Sequence, residues 1–230
     1  MSSITIAIDG YSSTGKSTLA KKLAKALNYV YVDTGAMYRS VTLAAMQAGA
    51  INNGKIDRTK LKSLLKSVEI SFQLNEKTGN GDVILNGKNV EEEIRSLEVS
   101  KNVSNVAAIS AVRKKLVEQQ QQMGKGLGLV MDGRDIGTVV FPSAEVKFFL
   151  TASPEKRATR RYKELLDRGD NVKYADVLKN VQDRDYIDSH REDSPLKKAN
   201  DAIEIDNSDM GLEEQLERML SYTKDVIELQ

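Results

Sequence analysis

Short apolar runs alternate along the chain with segments whose apolar residues recur at helical spacing. Residues 4–8 are mostly β-branched and apolar, which is typical of a strand buried on both faces. In residues 16–27, Leu19, Leu23 and Leu27 fall on one face of a helix. Further strands are predicted at residues 29–32, 128–131, 146–150 and 202–205. This alternation favours an α/β fold with a parallel sheet covered by helices on both faces.

One stretch breaks this alternation. Residues 68–74, 83–85 and 88–90 are short runs separated by glycine-containing turns, at residues 78–81 and at Asn86-Gly87. Such turns between short strands are typical of antiparallel hairpins. We therefore predict a small antiparallel β insert at residues 68–92, inside a single domain that covers residues 1–230. The pattern alone fits a functional insert and a surface excursion equally well.

The composition narrows the classes of function. Lys and Arg number 34 and Asp and Glu 33, so a net charge of +1 gives no bulk attraction to nucleic acid, and we expect no nucleic-acid partner. Cysteine is absent, which excludes disulfides and thiolate chemistry, and the single His190 excludes a multi-histidine metal centre. Neither a signal peptide nor an apolar run of about 20 residues is visible, so we expect a cytoplasmic protein without a membrane partner.

The strongest motif lies between the first predicted strand and helix. Residues 10–18 (Gly10, Tyr11, Ser12, Ser13, Thr14, Gly15, Lys16, Ser17 and Thr18) fit the pattern G-x-x-x-x-G-K-[ST]. Its glycines let backbone N–H groups converge on phosphate oxygens at the positive end of a helix. Lys16 would reach the β- and γ-phosphates, and Ser17 would give its hydroxyl to Mg²⁺. The motif therefore predicts ATP-type nucleotide binding with Mg²⁺ in a P-loop fold.

The motif does not specify the reaction. The switch and base-reading motifs of GTPases, DxxG and NKxD, do not occur in the sequence. An apolar strand ends in Asp132, which fits a carboxylate that holds the Mg²⁺ shell and fits equally well a residue that caps a turn.

Arginines at predicted loop edges favour a second, phosphorylated substrate. They are Arg39, Arg113, Arg134, Arg184 and Arg191. The guanidinium group suits forked hydrogen bonding to phosphate, although each arginine alone could also serve an ion pair. A phosphate monoester loses its second proton near pH ~6, so it needs charge neutralisation and no general base. A kinase for another small acceptor and a regulatory nucleotide-binding module remain open at this point.

Five segments together resemble the bacterial cytidylate kinases. They are residues 6–10 with the phosphate loop, 33–39 (DTGAMYR), 112–113 (VR), 132–142 (DGRDIGTVVFP) and 184–191 (RDYIDSHR). The resemblance implies an ATP-dependent kinase that phosphorylates CMP and dCMP. It also implies that residues 68–92 form the part that binds the nucleoside monophosphate and that residues 153–170 form a short lid. We expect a monomer.

The resemblance also implies roles for individual residues. Thr34, Arg39, Arg134 and Arg191 would surround the acceptor phosphate, Arg184 and Asp188 would hold the sugar, and Ser104, Arg113 and Asp135 would read the base. Lys16, Arg134, Arg157 and Arg161 would be catalytic. Asp135 also makes chemical sense, because a carboxylate accepts from the N4 amino group that cytosine has and uracil lacks. The phosphate loop departs from the family in Tyr11 and Ser13, where Pro and Gly are common.

Overall fold

The computed structural model describes residues 3–76, 80–126 and 128–229. The chain divides into two compact units, the first formed by Met1–Val32 with Met123–Gln230 and the second by Asp33–Gln122. Within the described residues we find no helix with the length and hydrophobicity that a bilayer crossing requires.

The secondary structure is as follows. The strands are β1 (Thr5–Gly10), β2 (Val30–Asp33), β3 (Ile51–Asn52), β4 (Lys55–Ile56), β5 (Ile70–Asn75), β6 (Asn80–Leu85), β7 (Lys88–Asn89), β8 (Leu129–Asp132), β9 (Val146–Thr151) and β10 (Ile203–Asp206). The helices are α1 (Lys16–Leu27), α2 (Thr34–Gln47), α3 (Arg58–Leu64), α4 (Leu97–Ala107), α5 (Ser110–Met123), α6 (Pro154–Asp167), α7 (Tyr174–His190) and α8 (Leu212–Glu228). Two short helical turns occupy Glu93–Arg95 and Ile136–Val140.

The first unit is built on a parallel sheet with strand order β10-β9-β1-β8-β2. The strand β1 runs parallel to β8 and to β9, and β9 runs parallel to β10. Its core joins Ile6 and Ile8 of β1 to Leu19 and Leu23 of α1 and to Met219 of α8. The α/β fold with a helix-flanked parallel sheet is therefore confirmed. Because the strands are parallel, their carboxyl ends lie at one edge, where the phosphate loop and Asp132 are found.

The second unit contains the antiparallel insert. Strands β5, β6 and β7 pair in that order and antiparallel, which confirms a small antiparallel sheet in this part of the chain. Thr78 and Gly79 of the predicted turn lie outside the described residues. A short hairpin of β3 and β4 precedes the insert. The functional division into one domain with a substrate-binding insert at residues 68–92 and a lid at 153–170 stays a prediction.

Helix starts follow capping signals in the sequence. The Asp33 carboxylate accepts a hydrogen bond from the Ala36 amide at 2.9 Å and so starts α2. Ser96 caps α4 in the same way. Ser153 caps α6, whose first residue is Pro154. These caps fix the helix starts close to candidate site residues, such as Thr34 on α2 and Arg157 on α6.

Candidate active site

The phosphate loop connects β1 to α1 and depends on two glycines. Gly10 has φ +146°, and a Cβ there would lie 2.0 Å from the carbonyl oxygen of Leu150, so no side chain fits. Gly15 has φ +88° and precedes α1, whose N-terminus is not capped by a side chain among the described residues. The first amides of α1 are therefore available to an anionic ligand, which the partial positive charge of the helix end favours.

Lys16 is folded back onto this loop. Its ammonium group donates to the Tyr11 carbonyl oxygen at 2.5 Å and to the Thr14 hydroxyl at 3.2 Å. Burial lowers the pKa of Lys16 well below its ordinary value, and the nearby charge of Arg134 lowers it further. An anionic ligand beside Lys16 would favour the charged form and offset this burial.

Ser17 and Asp132 form a candidate magnesium site at the carboxyl ends of β1 and β8. The Ser17 hydroxyl donates to one oxygen of the Asp132 carboxylate at 3.0 Å, and the Tyr31 hydroxyl donates to the other at 2.7 Å. The contact with Ser17 favours the magnesium-shell role of Asp132 over the alternative in which it only caps a turn. Within the described residues, no group of three or more acidic or histidine side chains could hold a metal. A hydroxyl beside a carboxylate is a suitable site for Mg²⁺ when phosphate oxygens of a nucleotide supply further ligands.

Buried arginines and aspartates cluster in the same unit. Arg134 donates to Asp188 at 2.9 Å, and Arg191 lies 3.8 Å from Asp188 and 3.7 Å from Asp135. Burial alone would raise the pKa of Asp188, but the Arg134, Arg184 and Arg191 guanidinium groups outweigh it and hold that pKa below its ordinary value. Burial, with the charge of Arg134, lowers the pKa of Arg184 to about 10. Positive charge therefore exceeds negative charge in the cluster, as an anion-binding site requires.

Arg157 is attached to the phosphate loop. It is buried on α6, donates to the Ser12 carbonyl oxygen at 2.9 Å and forms a 2.6 Å ion pair with Asp185 of α7. Arg161, one turn further along α6, pairs with Glu164 at 2.6 Å. Two of the three predicted catalytic arginines, Arg157 and Arg161, thus lie on one face of α6, and Arg157 supports the phosphate loop directly. Contact of either residue with a phosphate stays a prediction.

The two unusual residues of the phosphate loop have structural explanations. The Tyr11 ring packs edge-on against Phe149 with centroids 5.9 Å apart, and the Arg157 guanidinium lies 5.4 Å from its centroid. Packing on two sides therefore fixes the position of Tyr11 in the loop. Ser13 has φ +59°, in the left-handed region that favours glycine.

The remaining predicted substrate residues belong to the second unit. Thr34 and Arg39 lie on α2, Ser104 on α4 and Arg113 on α5, and all four are buried. Arg39 donates to the Ile94 carbonyl oxygen at 3.0 Å. The Arg113 guanidinium lies 5.5 Å from the centre of the Tyr38 ring. These four buried residues form a second candidate site region, in the second unit.

Asp33 links the start of α2 to the end of the insert. Arg95 donates to the Asp33 carboxylate at 2.9 Å and to Glu91 at 2.9 Å. Burial would raise the pKa of Asp33, but the Arg95 guanidinium holds it below its ordinary value. Thr34 follows Asp33 directly, so this ion pair fixes the helix end that carries Thr34.

Three residues of the site were not predicted. Asp9 accepts from the amides of Ile136 and Gly137, each at 2.8 Å, and so holds the segment after Asp135. Asp185 accepts from the Ser12 amide at 3.1 Å, and Asn207 donates to the Thr14 carbonyl oxygen at 2.8 Å. The strand-end position of Asn207, after β10, was the available signal. Asp185 lies in the segment 184–191 that carries the family resemblance, but nothing local indicates its contact with the phosphate loop.

Comparisons with known proteins agree with this geometry. The family model described as cytidylate kinase matches residues 6–225. A cytidylate kinase of Flavobacterium psychrophilum is 59% identical over 226 residues, which cover 98% of this chain and all of the relative. One of Flavobacterium johnsoniae is 59% identical over 229 residues and covers both chains fully.

Solved structures support the fold alone. An uncharacterized protein from Eubacterium ventriosum superposes with a TM-score of 0.50 at 15% identity, covering 97% of this chain and 99% of that one. The match to the family model extends from β1, the strand before the phosphate loop, into α8. The chain belongs to the cytidylate kinase family.

Proposed function

We propose that the chain is an ATP-dependent kinase that transfers the γ-phosphate of ATP to CMP or dCMP, giving CDP or dCDP. The observation that carries this proposal is the proximity of two positively charged sites in the first unit. Asp185 on α7 accepts from the Ser12 amide at 3.1 Å, so the phosphate loop is in contact with the helix that carries Arg184 and Asp188 of the arginine cluster. Two polyanionic ligands side by side repel each other, and this concentration of cations offsets that repulsion.

ATP binds at residues 10–18 in this proposal. The amides at the start of α1 cradle the phosphates, and Lys16 exchanges its carbonyl partner for phosphate oxygens. Ser17, oriented by Asp132, is the protein ligand for Mg²⁺. When bound, Mg²⁺ neutralises charge on the β- and γ-phosphates.

The acceptor needs no general base, because its phosphate is already ionised at neutral pH. Arg134 and Arg191, with Thr34 and Arg39, neutralise and orient that phosphate. Asp188 and Arg184 take the sugar hydroxyls. Ser104, Arg113 and Asp135 read the base, with the Asp135 carboxylate accepting from the N4 amino group of cytosine.

Residues 153–170 act as the lid in this proposal, and residues 68–92 belong to the part that binds the nucleoside monophosphate. Arg157 and Arg161 on α6 contribute positive charge while the lid excludes water from the transfer. We further propose that the enzyme works as a monomer in the cytoplasm, where its nucleotide substrates are found.

A coupled assay of the purified chain tests the proposal. With ATP and Mg²⁺, ADP should form rapidly with CMP or dCMP and only slowly without an acceptor. Faster turnover with UMP or AMP than with CMP would refute the substrate assignment. ADP formation that does not respond to any acceptor would instead support a regulatory nucleotide-binding module.

A further inference from the structure

Tyr31 lies on β2, next to the phosphate-loop site, and has no assigned role in catalysis. Its hydroxyl donates to the Asp132 carboxylate at 2.7 Å. Asp132 is 3% exposed, and its other oxygen accepts from Ser17 at 3.0 Å. Three side chains from β2, β8 and the start of α1 therefore form a continuous hydrogen-bonded chain.

These linked hydrogen bonds determine the orientation of the Ser17 hydroxyl toward a ligand. A serine hydroxyl that donates its proton to Asp132 directs its lone pairs elsewhere, and a divalent cation requires such a lone pair. The Ser17 hydroxyl keeps this orientation only while the Asp132 carboxylate does not rotate. Tyr31 holds that plane from the side opposite to Ser17, as residues behind a metal ligand commonly do.

The tyrosine ring has a separate role, in packing. It lies partly buried against the core formed by β1 and α1, and the Lys21 ammonium lies 5.8 Å from its centre. Removal of the hydroxyl alone would leave these contacts intact. The packing role and the hydrogen-bonding role can therefore be separated by a single Tyr→Phe substitution.

We propose that Tyr31 is a positioning residue for Mg²⁺ binding: through Asp132 it orients the Ser17 hydroxyl that receives the metal. The inference rests on the proposed nucleotide site at Ser17 and adds a residue outside the phosphate loop to it. In this proposal Tyr31 acts on the metal through Asp132 and Ser17 and makes no direct contact with the nucleotide.

The test measures metal binding without turnover. Mn²⁺, followed by electron paramagnetic resonance, is titrated into the full-length protein saturated with a non-hydrolysable ATP analogue. In Tyr31→Phe we expect the Mn²⁺ dissociation constant to rise about tenfold, as for the loss of a hydrogen bond to a charged group. Affinity for the analogue without metal should stay within twofold of the wild type. The midpoint of thermal unfolding should stay within a few degrees of the wild type.

Two further variants make the test specific. Tyr29→Phe also removes a phenol hydroxyl, but this one accepts from the amide of Ile4, which precedes β1, at 3.4 Å, so the Mn²⁺ affinity of this variant should match the wild type. Ser17→Ala removes the metal ligand, and adding Tyr31→Phe to it should weaken Mn²⁺ binding no further.

The possible results separate the inference from the function on which it rests. Unchanged Mn²⁺ affinity in Tyr31→Phe, an equal loss in Tyr29→Phe, or weakened analogue binding without metal would each overturn the role of Tyr31. Ser17→Ala that binds Mn²⁺ as tightly as the wild type would refute the magnesium site in the proposed function, and the inference with it.

Discussion

Replacing Asp9 with Asn gives a quantitative test of the electrostatics under the phosphate loop. Burial raises the pKa of Asp9 from its ordinary 3.8 to about 7, although the amides of Gly137 and Ile136 oppose this rise. Between these two values the folded state binds more protons than the unfolded state, so the wild type loses stability as pH rises. The pKa of Asp9 rises by about three, and each pKa unit corresponds to about 1.36 kcal/mol, so its ionisation changes the free energy of unfolding by about 4 kcal/mol in total.

Urea unfolding of the wild type and Asp9→Asn at several pH values measures this effect. Asn does not ionise, so the wild type should become less stable relative to the variant as pH rises. About 2.5 kcal/mol of that relative change should fall between pH 5 and pH 8. Asp206→Asn is a control of opposite sign, because Ser208 hydrogen bonds lower the pKa of Asp206 and its contribution changes only in more acidic solution. A difference between wild type and Asp9→Asn that stays constant within 1 kcal/mol from pH 5 to pH 8 would contradict the reasoning.

Three substitutions test the proposed reaction. Lys16→Ala should lower kcat by several powers of ten, a barrier increase above ~4 kcal/mol, in the coupled assay. Arg134→Ala should raise KM for CMP at least tenfold and leave the affinity for an ATP analogue, measured by calorimetry, within threefold of the wild type. The control Arg218→Ala, at an exposed position, should change neither value. Equal losses for both ligands in Arg134→Ala would contradict a role in acceptor binding. Asp135→Ala should reduce the preference for CMP over UMP, measured as the ratio of kcat/KM values, and an unchanged ratio would remove Asp135 from base recognition.

The sequence predicted the elements with strong local signals. The helix α1 occupies the predicted residues 16–27 because Gly15 precedes it and Asn28, at φ +56°, ends it. The helix α2 begins at Thr34, since the Asp33 cap directly before it sets the start. The hairpin of β3 and β4, with two residues in each strand, has too little periodicity to be predicted.

The candidate site was predictable where its residues are adjacent in sequence. The phosphate loop was identified because Lys16 and Ser17 lie within one motif. Asp132 stayed ambiguous because its partner Ser17 is 115 residues away, and only the fold reveals that hydrogen bond. The contacts of Asp185 and Asn207 with the loop are longer in range still, at 173 and 193 residues. Local sequence patterns do not predict such long-range contacts.

The carbonyl oxygens of the phosphate loop have a consequence for nucleotide affinity. Those of Ser12 and Thr14 accept from Arg157 and Asn207, respectively. The loop is therefore preorganised before ATP arrives and loses little conformational entropy on binding. The loop thus obtains its stiffness from side chains that α6 and the end of β10 supply.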